Sequence, residues 1–260
     1  MAMDLNCDMG ESFGNYRLGL DEQVVKFITS SNLACGFHAA DPLVMDHTVR
    51  LCQAHGVSVG AHPGYPDLRG FGRRPMSASY EEVRADVLYQ VGALAAIAAA
   101  AGVRLSHVKP HGALYNTAAK DEETARGVAR AVADLNPGLI LVTLAGPGGA
   151  KFRAIARDLG LTVAAEAFAD RAYRADGSLV PRGQEGAVLH DPELVAERCV
   201  KMATQGVVIS IDGQEVPLEA QTICVHGDTP SALELVKAVK AALTAAGVEL
   251  APVTLGNQAA

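Results

Sequence analysis

Short apolar runs alternate with longer stretches of helical periodicity along most of the chain. The runs at 4–8, 31–36, 57–61, 105–109, 139–144, 162–166 and 222–226 read as strands. Most are apolar without strict alternation, as expected for strands covered on both faces in a parallel sheet. The segments between them carry helix-start signals. Asp41-Pro42, Asp191-Pro192 and Thr229-Pro230 each set a capping side chain before a proline suited to the first helical position. Ser79-Tyr80-Glu81-Glu82 reads as a capping box, followed by Val83, Val87 and Val91 at four-residue spacing. Gly102, Gly160 and Gly247 suit helix ends, where a left-handed conformation needs no Cβ.

Seven strand–helix repeats in 260 residues predict an α/β fold in a single domain, 1–260. The pattern fits either a β/α barrel or an open doubly wound sheet. The rhythm breaks once. Residues 207–211, the pair Asp212-Gly213 and residues 214–217 read as a β-hairpin, a small insertion around 207–218 ahead of the last strand.

In such folds the chemistry gathers at the C-terminal ends of the strands. Here the first strand ends in Asp8, with Glu11 just beyond, and the second runs into Gly36-Phe37-His38. The third runs into Gly60-Ala61-His62, the fourth into Lys109-Pro110-His111, the sixth into Glu166 and the last into His226-Gly227-Asp228. Four of the eight histidines thus follow a strand directly; His47, His55, His107 and His190 do not and receive no role. One histidine after a strand can simply cap the next helix. Four of them together with a lysine and three carboxylates point to a shared site.

Composition narrows the class. With 49% hydrophobic residues the chain can bury a large core, which excludes disorder. A net charge of −7 without a basic run argues against nucleic acid as partner. Five cysteines, odd in number and without a CxxC pair, fit a reducing, cytoplasmic setting. The N-terminus lacks the basic and apolar regions of a signal peptide, and the Ala-rich stretch 91–102 is too short to span a bilayer, so no membrane role is expected.

Several binding chemistries remain open. Arg69, Arg73 and Arg74 share the loop 67–75 and Arg171 follows Glu166; a guanidinium fork suits a substrate carboxylate or phosphate, although Arg74 reads better as a solvated surface group. Asp8, His38 and His62 could supply a divalent metal with an Asp-His-His set. Against that set, no HxxxH or HxxE spacing is present, and Lys109 nearby would repel a cation. The glycine-rich segment 145–151 lacks the P-loop pattern, so it carries little support for a phosphate site.

The longer motifs resemble the LamB/YcsF family. They are Leu5-Asn6-Cys7-Asp8-Met9-Gly10-Glu11, Ala34-Cys35-Gly36-Phe37-His38, Gly60-Ala61-His62-Pro63-Gly64 and the specific run Val108-Lys109-Pro110-His111-Gly112-Ala113-Leu114-Tyr115-Asn116. Glu166-Ala167-Phe168-Ala169-Asp170-Arg171, Leu179-Val180-Pro181-Arg182 and Val225-His226-Gly227-Asp228 extend the likeness over nearly the whole chain. The resemblance implies a seven-stranded, TIM-like β/α barrel of the glycoside hydrolase/deacetylase type. It also implies a part, with partner subunits B and C, in ATP-dependent 5-oxoprolinase, which cleaves the lactam of 5-oxo-L-proline to L-glutamate with ATP as co-substrate.

For that reaction the expected catalytic residues are Asp8, Glu11, His38, His62, Lys109, His111, Glu166 and His226. His62 or Asp8 would serve as base for water, Lys109 and His111 would meet oxyanion charge, and Glu166 and His226 would orient neighbours or shuttle a proton. Arg73 or Arg171 would hold the α-carboxylate, with Asn6, Asn116 and Asp228 as further substrate-binding residues. Two other readings compete: a metal-dependent deacetylase or other C–N hydrolase on the same fold, and a non-catalytic substrate-binding or assembly subunit. A polysaccharide hydrolase is less attractive, because aromatic residues make up 5% of the chain and tryptophan is absent.

Overall fold

The computed structural model describes residues 2–226 and 231–253. Strands β1 (Ala2–Met9), β2 (Ser30–Ala34), β3 (Ser58–His62), β4 (His107–Val108), β5 (Ile140–Leu144) and β6 (Val163–Phe168) lie side by side and parallel. A separate antiparallel hairpin, β7 (Val207–Ile209) and β8 (Glu215–Pro217), precedes β9 (Thr222–Cys224). β9 pairs with β6 on one side and β1 on the other, so the sheet closes on itself as a seven-stranded barrel. Closure settles the choice between barrel and open sheet. A short strand, β10 (Glu249–Leu250), adds parallel to the start of β1 outside the ring, an element the sequence pattern did not reveal.

The helix starts form as their sequences dictate. Asp41 accepts from the amides of Leu43 and Val44, and Asp191 from those of Glu193 and Leu194. Ser79 and Glu82 complete the capping box. Gly102, Gly160 and Gly247 all adopt positive φ. Thr229-Pro230 lies outside the described residues.

Two expectations need revision. The hairpin does not turn on Asp212-Gly213 alone: Ile209 pairs with Glu215, and Ile211 leaves the ladder to donate its amide to the carbonyl of Tyr173 at 2.8 Å. The apolar stretch expected at 91–102 belongs to a longer helix, Tyr80–Ala100, of 21 residues, long and apolar enough by length and composition to cross a membrane. Its buried residues Val83, Val87, Val91, Leu94 and Ala98 recur every three or four positions, the spacing of one covered face.

The barrel lumen departs from the usual filling of branched apolar side chains. β1 alternates, sending Met3, Leu5, Cys7 and Met9 into the hydrophobic core and Asp4, Asn6 and Asp8 into a polar network. Asp4 accepts from Thr29 and Ser30 at 2.6 and 2.7 Å, and burial raises its pKa. Asn6 donates to Thr222 at 2.6 Å and to Glu166 at 3.1 Å while accepting from Asn32 at 2.7 Å. Asn32 in turn donates to Asp8 at 2.9 Å and accepts from His107 Nε2 at 2.8 Å. Burial pushes the His107 imidazole down to about 3, so it stays neutral, and the Ser106 hydroxyl lies 2.7 Å from its Nδ1. His107 is therefore structural, a member of this column.

Gly60 makes room for that ring. A Cβ at position 60 would stand 2.1 Å from His107 Nε2. Gly60→Ala must push the imidazole out of its bond to Asn32, and overpacking of this kind costs about 1–3 kcal/mol, with the broken buried hydrogen bond adding to it. A denaturant titration showing less than about 1 kcal/mol of destabilisation would contradict this account.

Candidate active site

Lys109 follows β4 and carries its ammonium into the barrel, where the residue is 2% exposed. Its Nζ lies 2.9 Å from Asp8 Oδ1, 2.8 Å from Glu166 Oε1 and 3.1 Å from Cys224 Sγ. Burial alone would strip the proton, yet Asp8, Cys224 and Glu166 together hold the amine well above its ordinary value. Burial alone would likewise raise Asp8, but His62 and Lys109 hold its carboxyl well below the usual range. Glu166 also accepts from the Tyr115 hydroxyl at 3.0 Å. Tyr115 sits one turn into the helix Gly112–Ala118 that follows Lys109-Pro110-His111.

Three imidazoles stand beside this group. His62 Nε2 lies 3.3 Å from Asp8 Oδ2 and 2.9 Å from His111 Nδ1. The far nitrogens are both anchored: His62 Nδ1 on the Lys109 carbonyl at 2.7 Å and His111 Nε2 on the Phe71 carbonyl at 2.8 Å. His38 stacks flat on His111, with ring centroids 3.8 Å apart. Neither ring nitrogen of His38 has a hydrogen-bond partner among the described residues, although the residue is fully buried. Burial and neighbouring imidazoles depress both His38 and His111 well below the ordinary value. The loop carrying Phe71 is tightly drawn in: Phe71 itself has φ +54°, and a Cβ on Gly72 would meet His38 and His111 at 2.8 Å.

On another wall His226 Nδ1 lies 2.8 Å from Asp170 Oδ1, and its ring stacks against Phe168. Burial would raise Asp170, but His226, with help from Arg182, holds it below its ordinary value. His226 thus has a buried carboxylate behind it and a cavity of about 350 Å³ in front.

That cavity gathers many of the residues expected from sequence. Asp8, His62, Lys109, His111 and His226 line it deeply, with Arg73, Asn116 and Arg171 also in its wall. Glu166 lies against Lys109 without joining the lining. Glu11 and His38 sit behind His62 and His111, away from the open space. Asn6, expected to touch substrate, is instead 1% exposed, and its amide is committed to Glu166, Thr222 and Asn32. Arg171 spends part of its guanidinium on the carbonyls of Val180 and Ala187; burial first, then Arg182, push it down to about 10. Asp228 lies outside the described residues. The metal set regroups as well. His38 and His62 converge with Glu11 and His111, their ligand atoms all within 4.8 Å, whereas Asp8 groups with Cys224 and His226.

Sequence reasoning gave no role to Tyr115, Asp170, Arg182 or Lys120. The first three stand inside the motifs quoted above, but nothing in their spacing shows that Tyr115 meets Glu166 or that Asp170 meets His226, partners 51 and 56 residues apart. Arg182 and Lys120 complete a cationic mouth with Arg73 and Arg171.

The LamB/YcsF family model matches residues 3–258. The chain belongs to the LamB/YcsF family. Among its LamB/YcsF relatives, the 5-oxoprolinase A subunit of Syntrophobacter fumaroxidans is 56% identical, the match covering 99% of this chain and 100% of the relative. That of Pyrococcus abyssi is 55% identical over 97% of this chain and 98% of its own. The solved lactam utilization protein from Thermus thermophilus superposes with a TM-score of 0.91 at 50% identity, covering 97% of this chain and 100% of that one. A peptidoglycan N-acetylglucosamine deacetylase domain from Eubacterium rectale shares the fold alone, at TM-score 0.51 and 11% identity over 99% of this chain and 90% of that one. The barrel of this LamB/YcsF member is thus of the kind expected, and its relatives' shared name makes it one component of a 5-oxoprolinase, which implies partner subunits.

Removing the ammonium from this floor should be costly. Lys109→Met leaves Asp8 and Glu166 buried without their shared counter-charge and should lose about 3–5 kcal/mol of unfolding free energy. Tyr115→Phe removes one donor from Glu166 and should lose about 1–3 kcal/mol. Calorimetry or denaturant unfolding reads both, and the reverse ranking would refute this picture of the floor.

Proposed function

We propose that this chain is the A subunit of an ATP-dependent 5-oxoprolinase and houses the step that opens the lactam ring of 5-oxo-L-proline. ATP enters as co-substrate and subunits B and C as partners, in the cytoplasm, where five free and buried thiols stay reduced. The observation that carries the reading is the closed floor of Asp8, Lys109 and Glu166 beneath a cavity sized for a small ring, with a His–Asp pair in its wall and cations at its mouth.

A lactam is a resonance-stabilised amide and resists water. Transfer of the γ-phosphoryl group of ATP to the lactam oxygen makes the ring carbon electrophilic and releases ADP. Water then adds to that carbon, the ring C–N bond breaks and nitrogen takes a proton, leaving a γ-acyl phosphate. A second water cleaves the acyl phosphate to L-glutamate and phosphate. The Lys109 ammonium is placed to meet charge developing on the oxygen, in a water-poor setting where such a donor counts most. His226, held through Nδ1 by Asp170, presents its other nitrogen as the group that takes a proton from water and returns it to the ring nitrogen. Arg73, Arg171 and Arg182 suit the α-carboxylate and the phosphoryl oxygens. The Glu11, His38, His62 and His111 donors fit a divalent cation, which when bound would supply a Lewis acid at the cavity edge.

Glutamate formation from 5-oxoproline and ATP by subunits B and C should vanish when this chain is omitted. His226→Gln in the assembled enzyme should lower kcat by about 10²-fold or more, with an unchanged circular dichroism spectrum. Full turnover without the chain would end the proposal, and near-normal turnover by His226→Gln would remove His226 from the chemistry.

A further inference from the structure

We infer that Glu11, His38, His62 and His111 form a binding site for one divalent transition-metal ion, with zinc the best match to three imidazoles and a carboxylate. The argument rests on where the ring protons must be. His62 Nδ1 faces the Lys109 carbonyl at 2.7 Å, and His111 Nε2 faces the Phe71 carbonyl at 2.8 Å. A carbonyl only accepts, so each of these nitrogens carries a hydrogen, and in the neutral rings His62 Nε2 and His111 Nδ1 are left as lone pairs. Those two lone pairs point at each other across 2.9 Å, and Asp8 Oδ2 stands 3.3 Å from the first of them. Acceptors brought this close need a positive species between them.

Backbone carbonyls that fix the outer N–H of each imidazole are the usual means of aiming metal-ligating histidines. The spacing agrees. Two donors bonded to one metal at roughly 2.1 Å stand about 2.9–3.4 Å apart, from octahedral to tetrahedral angles. His38 supplies an independent observation: its ring is 0% exposed, stacked on His111, and neither nitrogen has a partner among the described residues. A buried imidazole with both nitrogens unsatisfied is costly, and a bond to a metal removes half of that cost. Lys109 does not oppose the ion, because its ammonium is directed at Asp8 Oδ1, Glu166 and Cys224. His62 and His111 also line the cavity, so a coordination position left by the four donors opens toward bound ligand.

The site rests on donor geometry and not on the lactam reading, and it can be tested without turnover. The full-length chain is stripped with a chelator, dialysed and titrated with Co²⁺, followed by visible absorption, with Zn²⁺ added in competition and metal content measured by elemental analysis. Expected are saturable d–d bands at one Co²⁺ per chain, their bleaching by one equivalent of Zn²⁺, and at least tenfold weaker binding in His38→Gln and Glu11→Gln, whose thermal melts report that they remain folded. Absence of saturable Co²⁺ absorption and of retained zinc in the unmodified chain overturns the site and leaves an imidazolium at His62 as the species between the acceptors. Unchanged affinity in both folded variants overturns it equally. Either result leaves the glutamate assay to judge the lactam reaction by itself.

Discussion

A lysine ammonium taken out of water keeps its charge only where carboxylates surround it closely, since the loss of hydration is otherwise worth several kcal/mol. Lys109 meets that condition through Asp8 on β1 and Glu166 on β6, neither of which is its neighbour along the chain. The three groups can meet only if the barrel closes, and the closed barrel leaves the ammonium nowhere else to go. Fold and candidate site are thus one constraint. The Asn6 amide and Tyr115 hydroxyl extend it by holding Glu166 toward Lys109.

Around that floor the walls divide by chemistry. One side is a set of imidazoles whose outer nitrogens are tied to backbone and whose inner nitrogens converge. Another is an imidazole backed by a buried carboxylate and flanked by an aromatic face. The mouth is cationic although the whole chain carries a net charge of −7. An anionic small molecule is drawn inward by this arrangement and meets one deep ammonium at the bottom.

Much of this was legible in the chain because β/α barrels put chemistry where strands stop, and Asp8, His62, Lys109 and His226 each stand there. Closure was not legible: an open sheet would also carry those residues on one edge, and only the pairing of β1 with β9 decides it. Asn6 and His107 show a second limit. A polar residue inside a strand reads alike whether it faces ligand or a neighbouring strand, and here both face the lumen network. The alternation of Asp4, Asn6 and Asp8 within an otherwise apolar β1 was the visible trace of that network. Asp170 left no such trace, since its partner His226 is brought near only by the fold.

The lumen network also bears on how the strands find their alignment. Asp4, Asn6, Asn32, His107, Glu166 and Thr222 grip one another across β1, β2, β4, β6 and β9. Parallel ladders fix register through backbone bonds that look much the same at every position, so a slipped pairing is discriminated against mainly by its side chains. In this barrel a slip by one residue would turn amides, carboxylates and an imidazole out against the apolar inner faces of the helices. Misaligned closures are thereby penalised at several strands at once, and a lumen built of polar contacts serves as an error check during folding that a greasy interior would perform far less sharply.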